Sequence, residues 1–135
     1  MIYRSAFLKD CNGEKAELFL EVRDYIKIVI GNDVKEKQNS KSTSYKTNDG
    51  VFCSIKVEHA TVIINWLQGS FFSDKYNFLE GINKKSRTQR IEILDTKARE
   101  MIRYYVQETF VFLFEKNGLK SMNQIKYRKS YKSNI

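Results

Sequence analysis

Residues 51–67 carry the clearest pattern of apolar and polar positions in the chain. Val51-Phe52-Cys53-Ser54-Ile55-Lys56-Val57 and Ala60-Thr61-Val62-Ile63-Ile64-Asn65-Trp66-Leu67 are rich in β-branched and aromatic residues, which suit the pleated, half-buried setting of a sheet. With Glu58-His59 as a two-residue loop, Val57 faces Ala60, Ile55 faces Val62, Cys53 faces Ile64 and Val51 faces Trp66. Side chains alternate with period two, so these eight share one face, the core face. The opposite face then holds Phe52, Ser54, Lys56, Thr61, Ile63, Asn65 and Leu67. A preceding strand over residues 43–47, handed into the hairpin by an Asp49-Gly50 turn, adds Tyr45. Tyr45, Phe52, Ile63 and Leu67 on one face imply a covering layer or a ligand or partner surface. Packing is the simpler account.

Around this hairpin the period changes. Residues 1–13 are a short lead-in broken at Gly13. In residues 14–30, Leu18, Val22, Tyr25 or Ile26, and Val29 recur at spacings of three and four, the signature of an amphipathic helix. Gly31-Asn32-Asp33 ends it. Residues 34–42 are polar and ambiguous. Ser73-Asp74 offers an N-cap for a short helix to Glu80, stopped by Gly81. Residues 89–94 give a last strand with Ile91 and Ile93 inward. Asp95-Thr96 caps a final helix over residues 97–116, whose apolar face is Ala98, Met101 or Ile102, Tyr105, Thr109 and Phe112 or Leu113. Residues 110–114 are apolar all round, which suggests burial on both sides or a homodimer contact, and Asn117-Gly118 terminates the helix. The expected class is α+β: an antiparallel sheet of four to five strands with an N-terminal and a long C-terminal helix packed on it.

At 135 residues with 41% hydrophobic content, the chain is sized for one folded domain over residues 1–116. It shows no membrane-length apolar run and no signal-peptide pattern, so the expected compartment is the cytoplasm. Cys11 and Cys53 are too few for a disulfide framework and are expected as reduced thiols. The net charge of +8 is uneven: residues 1–115 hold 18 basic and 16 acidic side chains, while residues 116–135 hold six basic and none acidic. Residues 117–135 are therefore expected to form a basic, flexible tail. There, Lys126, Arg128, Lys129 and Lys132 alternate with tyrosines, a composition suited to phosphates and bases. Lys84, Lys85, Arg87 and Arg90 extend that candidate nucleic-acid patch.

Catalytic motifs are missing from the sequence. No Gly-rich phosphate loop, nucleophile elbow or metalloprotease motif occurs. The sole histidine, His59, falls in the hairpin turn while Cys53 points into the core, so a Cys/His pair is not expected.

The order of short motifs resembles a bacterial family. Glu36-Lys37, Tyr45, the turn at Asn48, the hairpin, Trp66-Leu67-Gln68-Gly69, Phe78-Leu79-Glu80-Gly81, Lys84-Lys85 with Arg87, and the strand to Leu94 are similar to the YdhG-like domain family of unknown function, which includes a frataxin-like iron chaperone. The likeness spans roughly residues 14–113. The family's proline turn is replaced here by Lys41-Ser42-Thr43. What the resemblance implies is the same α+β fold, a non-catalytic binding protein, and iron, or an iron-using protein, as partner. The carboxylates matching a frataxin-like iron site are Glu14, Glu17, Glu21 and Asp24 on the first helix. Hard cations prefer such oxygen clusters; interleaved Lys15, Arg23 and Lys27 make an ordinary solvated stripe the plain alternative.

Overall fold

The computed structural model describes residues 5–133, with side chains through residue 118. Its elements are α1 (Ala6–Cys11), α2 (Ala16–Ile30), β1 (Lys35–Gln38), β2 (Thr43–Thr47), β3 (Gly50–Glu58), β4 (Thr61–Trp66), a 3-10 turn (Gly69–Phe71), β5 (Arg87–Ile91) and α3 (Thr96–Ser133). The five strands form one antiparallel sheet in the order β1-β2-β3-β4-β5. The α+β class expected from the sequence is the one observed.

Each helix forms where its apolar stripe meets the sheet. On α2 the buried residues are Phe19, Val22, Ile26 and Ile30, so the stripe is rotated slightly from the expected one, and Leu18, Tyr25 and Val29 flank it. Gly31, at φ 107°, closes the helix by donating its N–H to the Lys27 carbonyl at 3.0 Å. Asp95 starts α3, its Oδ1 accepting from the Ala98 N–H at 2.8 Å. Met101, Ile102, Tyr105, Val106, Thr109 and Leu113 then face the core. The expected end at Asn117-Gly118 is not observed: α3 continues to Ser133. Glycine stops a helix by turning left-handed, and between good helix formers such as Leu119, Lys120 and Met122 it stays in register instead.

The central hairpin is displaced by one residue from the sequence reading. Its turn is His59-Ala60, both at left-handed φ (51° and 62°), so that Glu58 pairs Thr61, Val57 pairs Val62, Ile55 pairs Ile64 and Cys53 pairs Trp66. The two offsets cancel in parity, and the core face keeps Cys53, Ile55, Val62, Ile64 and Trp66, while Ala60 moves into the turn. The bulge between β2 and β3 changes more. Tyr45 pairs Cys53 and Lys46 pairs Val51, which leaves Phe52 as the extra residue. Tyr45 therefore lies on the core face, and Phe52 is turned onto α3, 4.7 Å edge-on from the Phe110 ring. Val51, expected inside, is 39% exposed.

Three further differences have local causes. β5 ends at Ile91, so Gln89 and Ile91 point inward and Ile93 is left 72% exposed. Asp74 does accept N–H groups, from Phe78 at 3.4 Å and Leu79 at 3.1 Å, yet Asp74 and Asn77 sit at φ 43° and 48°, which breaks any helix there. The polar stretch after α2 becomes β1 because β2 offers it a free edge.

One buried charge is a weak point. Asp10, 4% exposed at the end of α1, has an Oδ2 with no hydrogen-bond partner among the described residues. Burial raises its pKa, against a backbone N–H from Val57 and the charges of Lys9 and Lys56. A carboxyl with a raised folded pKa supports the fold when protonated and loses that support as pH rises through the folded value. Asp10→Asn is expected to stabilise the fold by about 1 kcal/mol at neutral pH, with the gain vanishing below the carboxylate range, as read by urea unfolding at both pH values.

Candidate functional site

All three helices pack on one face of the sheet, over Cys53, Ile55, Val62, Ile64, Trp66 and Ile91. Strand alternation sends the intervening side chains to the other face, which no described helix covers. The pairing register places them in rows. Lys37, Ser44, Ser54, Asn65 and Thr88 are successive cross-strand partners and form a line running from β1 to β5. On one side of this line stand the partners Lys35 and Lys46. On the other stand Lys56, Ile63 and Arg90, again in register. Lys41, from the β1–β2 turn, joins Lys56 and Arg90 around an open groove of about 340 Å³ whose lining includes Ser54, Asn65 and Thr88.

The balance of charge is one-sided. Lys35, Lys37, Lys41, Lys46, Lys56 and Arg90 are opposed by two carboxylates, and both are engaged: Glu58 with Lys56 at 2.9 Å and Glu80 with Arg90 at 3.3 Å. Ile63, between its cross-strand partners Lys56 and Arg90, is 6% exposed. Beside the hydroxyls of Ser54 and Thr88 the groove lining holds one carboxylate, Glu58, which is tied to Lys56. Such a surface can bind anions.

The surface proposed from the sequence is not assembled. Of Tyr45, Phe52, Ile63 and Leu67, only Ile63 is on the helix-free face. Tyr45 is buried beneath α2, donating its hydroxyl to Glu36 Oε2 at 3.0 Å. Leu67 follows β4 and lines a separate groove with Phe71 and Phe112. The basic quartet also splits. Arg90 is on the helix-free face, while Lys84 and Lys85 are exposed in the loop before β5. Arg87 is absorbed by that loop, its guanidinium donating to the carbonyls of Asn83 and Ser86. The side chains of Lys126, Arg128, Lys129 and Lys132 lie outside the described residues.

Glu14, Glu17 and Glu21 line one shallow surface with Glu92, whereas Asp24 pairs with Arg23 at 3.1 Å. Glu14 precedes α2 instead of lying on it. Among the described residues, no group of three or more His, Cys, Asp and Glu side chains is placed to hold a metal ion. His59 is 84% exposed at the hairpin tip, and Cys53 is buried and unbridged, its thiol pKa pushed up by burial. No described helix is long and apolar enough to cross a membrane.

No family model, curated protein or solved structure matches this chain.

Sequence reasoning missed two arrangements. The cationic rows escaped because Lys35 and Lys37 sit in the stretch that reads as ambiguous; their two-residue spacing was the available signal. The second is a polar knot between the loop after the 3-10 turn and α3. There the Ser73 hydroxyl meets the Tyr104 hydroxyl and donates to Glu108 Oε1 at 2.6 Å, and Tyr105 donates to Asp74 Oδ1 at 2.7 Å. Burial and Asp74 together raise the Tyr105 pKa, so its proton is held in place. That arrangement fastens a loop.

Proposed function

We propose that this chain is a binding protein, not an enzyme, and that it takes a phosphate-rich polyanion of the nucleic-acid class on the helix-free face of its sheet. One observation carries the reading: five cations stand in register on that face and Lys41 joins them from the β1–β2 turn, against two carboxylates, each already paired within the face. Lysine stems on a sheet hold ammonium groups at the height of a docked backbone, and each neutralised phosphate releases counterions. The six cations of residues 116–135 carry the same sign.

Fluorescence anisotropy of a labelled oligonucleotide tests this. Binding should weaken with salt along a log–log slope of roughly −0.7 for each phosphate engaged on a single strand, giving about −3 for four contacts. Changing Lys35, Lys37, Lys46 and Lys56 to Gln should weaken binding at least tenfold and flatten the slope. Salt-independent binding, or an unchanged affinity in the four-fold variant, would reject the reading.

A further inference from the structure

The helix-free face is shaped as well as charged. The residues between the cationic rows are all short: Ser44, Ser54, Asn65 and Thr88 are successive partners across β2, β3, β4 and β5. Long side chains rise on both sides, with Lys46 on one and Lys56 and Arg90 on the other. Strands lie about 4.8 Å apart, so the line of short residues from β2 to β5 is about 14 Å long, and Lys37 stands at its β1 end. Rows two residues away on either side are separated by about 13 Å along the strands. The result is a trough that crosses β2 to β5, with a floor of hydroxyls and an amide, Lys37 and Lys46 at its β1–β2 end, and Lys56 and Arg90 along the other side.

Resting on the polyanion reading above, we infer that the trough holds one extended single strand of nucleic acid, its backbone running perpendicular to the β-strands. The walls can reach phosphates on both sides of a single chain, and the floor offers hydrogen-bond donors and acceptors to phosphate and sugar oxygens. A duplex is a convex cylinder: it meets the rims and leaves the floor unused. The floor carries no aromatic ring, so recognition goes through the backbone and discriminates little between base sequences.

The test separates strandedness from charge. Anisotropy is measured for wild type with a labelled single-stranded oligonucleotide and with its blunt duplex at the same salt. A second protein, Ser54→Phe/Asn65→Phe, keeps every charge and fills the floor with residues at home in strands. Circular dichroism checks its fold, and Asn65→Ile serves in its place if it does not fold. The single strand should bind wild type at least tenfold tighter than the duplex, and filling the floor should abolish that preference while leaving duplex binding unchanged. Equal affinity for both probes, or a preference that survives the filled floor, would overturn the trough and leave the polyanion reading standing. Loss of all binding on Lys46→Gln/Lys56→Gln, with no strand preference in wild type, points to charge alone. No binding of either probe by wild type overturns both.

Discussion

Trp66→Ala should unfold much of the population at room temperature. Trp66 is fully buried, with the Phe72 ring at 6.4 Å and the Tyr105 ring at 5.7 Å. Its Nε1–H donates to Gln89 Oε1 at 2.9 Å, and Gln89 is itself 1% exposed. Truncation opens a cavity where β4, β5 and α3 converge, and it strands the Gln89 carbonyl oxygen. Large-to-small aromatic changes cost about 3–5 kcal/mol, and an orphaned buried acceptor adds about 1–3 kcal/mol. Against the roughly 5–15 kcal/mol of a small domain, that is most of the stability. Trp66→Phe keeps much of the volume and loses the hydrogen bond, so it should cost about half as much. Urea unfolding followed by circular dichroism reads both; equal costs for the two variants would mean that the Gln89 bond, not the packing, dominates.

Glu36→Ala is expected to cost about 3 kcal/mol, because it removes the acceptor of two Arg23 nitrogens and of the Tyr45 hydroxyl and leaves Arg23 only its Nη1 contact with Asp24. Arg23 grips Glu36 with two nitrogens, Nε to Oε2 at 2.7 Å and Nη2 to Oε1 at 3.1 Å, and the Tyr45 hydroxyl donates to the same Oε2 at 3.0 Å. The side chains are 23% and 13% exposed for Arg23 and Glu36, so the pair is shielded but not dry. Burial opposes ionisation of Glu36, and the hydrogen bonds from Arg23 and Tyr45 outweigh it, so its pKa lies below the usual carboxylate value. The same contacts raise Arg23, and burial with Glu36 nearby raises Tyr45. A lowered folded pKa means stability that is complete above the unfolded value and is lost as pH falls through the folded one. The stability difference between wild type and Glu36→Gln should therefore be constant from neutral pH to about pH 5 and shrink below about pH 4. A difference that grew in acid would contradict this assignment.

The elements best foretold by the sequence are those with one dominant signal. α2 and α3 announce themselves by apolar spacing, and β3 and β4 by β-branched and aromatic residues; all four are present, though α3 runs on to Ser133 and the hairpin turn is shifted by one residue. The hairpin turn was misplaced because its residues are His59-Ala60, whereas a left-handed pair is normally signalled by Asn-Gly or Asp-Gly. Local chemistry favoured the wrong pair by one position, and the strand pairing overruled it. Tyr45 and Phe52 were assigned to the wrong face because period-two counting does not see a bulge. The candidate site was the least legible part. It consists of side chains from five strands that no run of sequence unites, and of the candidates read from the sequence only Ile63 and Arg90 belong to it. Gly50 shows the same limit. Its φ of 151° and the 2.9 Å between a built Cβ and Leu113 Cδ2 tie a turn residue to a helix sixty residues away, whereas the Asp-Gly pair foretold only the turn.

The strictly sequential order of the sheet also governs how the molecule reaches its structure. Every strand pairs with its neighbour in the chain, so three of the four pairings close short loops and cost little chain entropy before contacts repay it. The exception is β4 with β5, separated by residues 67–86. Joining them fixes the long loop that also carries Phe72 and Asp74 onto α3, through the Phe72–Tyr105 stack and the Asp74–Tyr105 bond. Closing the β4–β5 pairing is therefore the step of sheet assembly that costs the most chain entropy. With no proline anywhere in the chain, no prolyl isomerisation intervenes in that step.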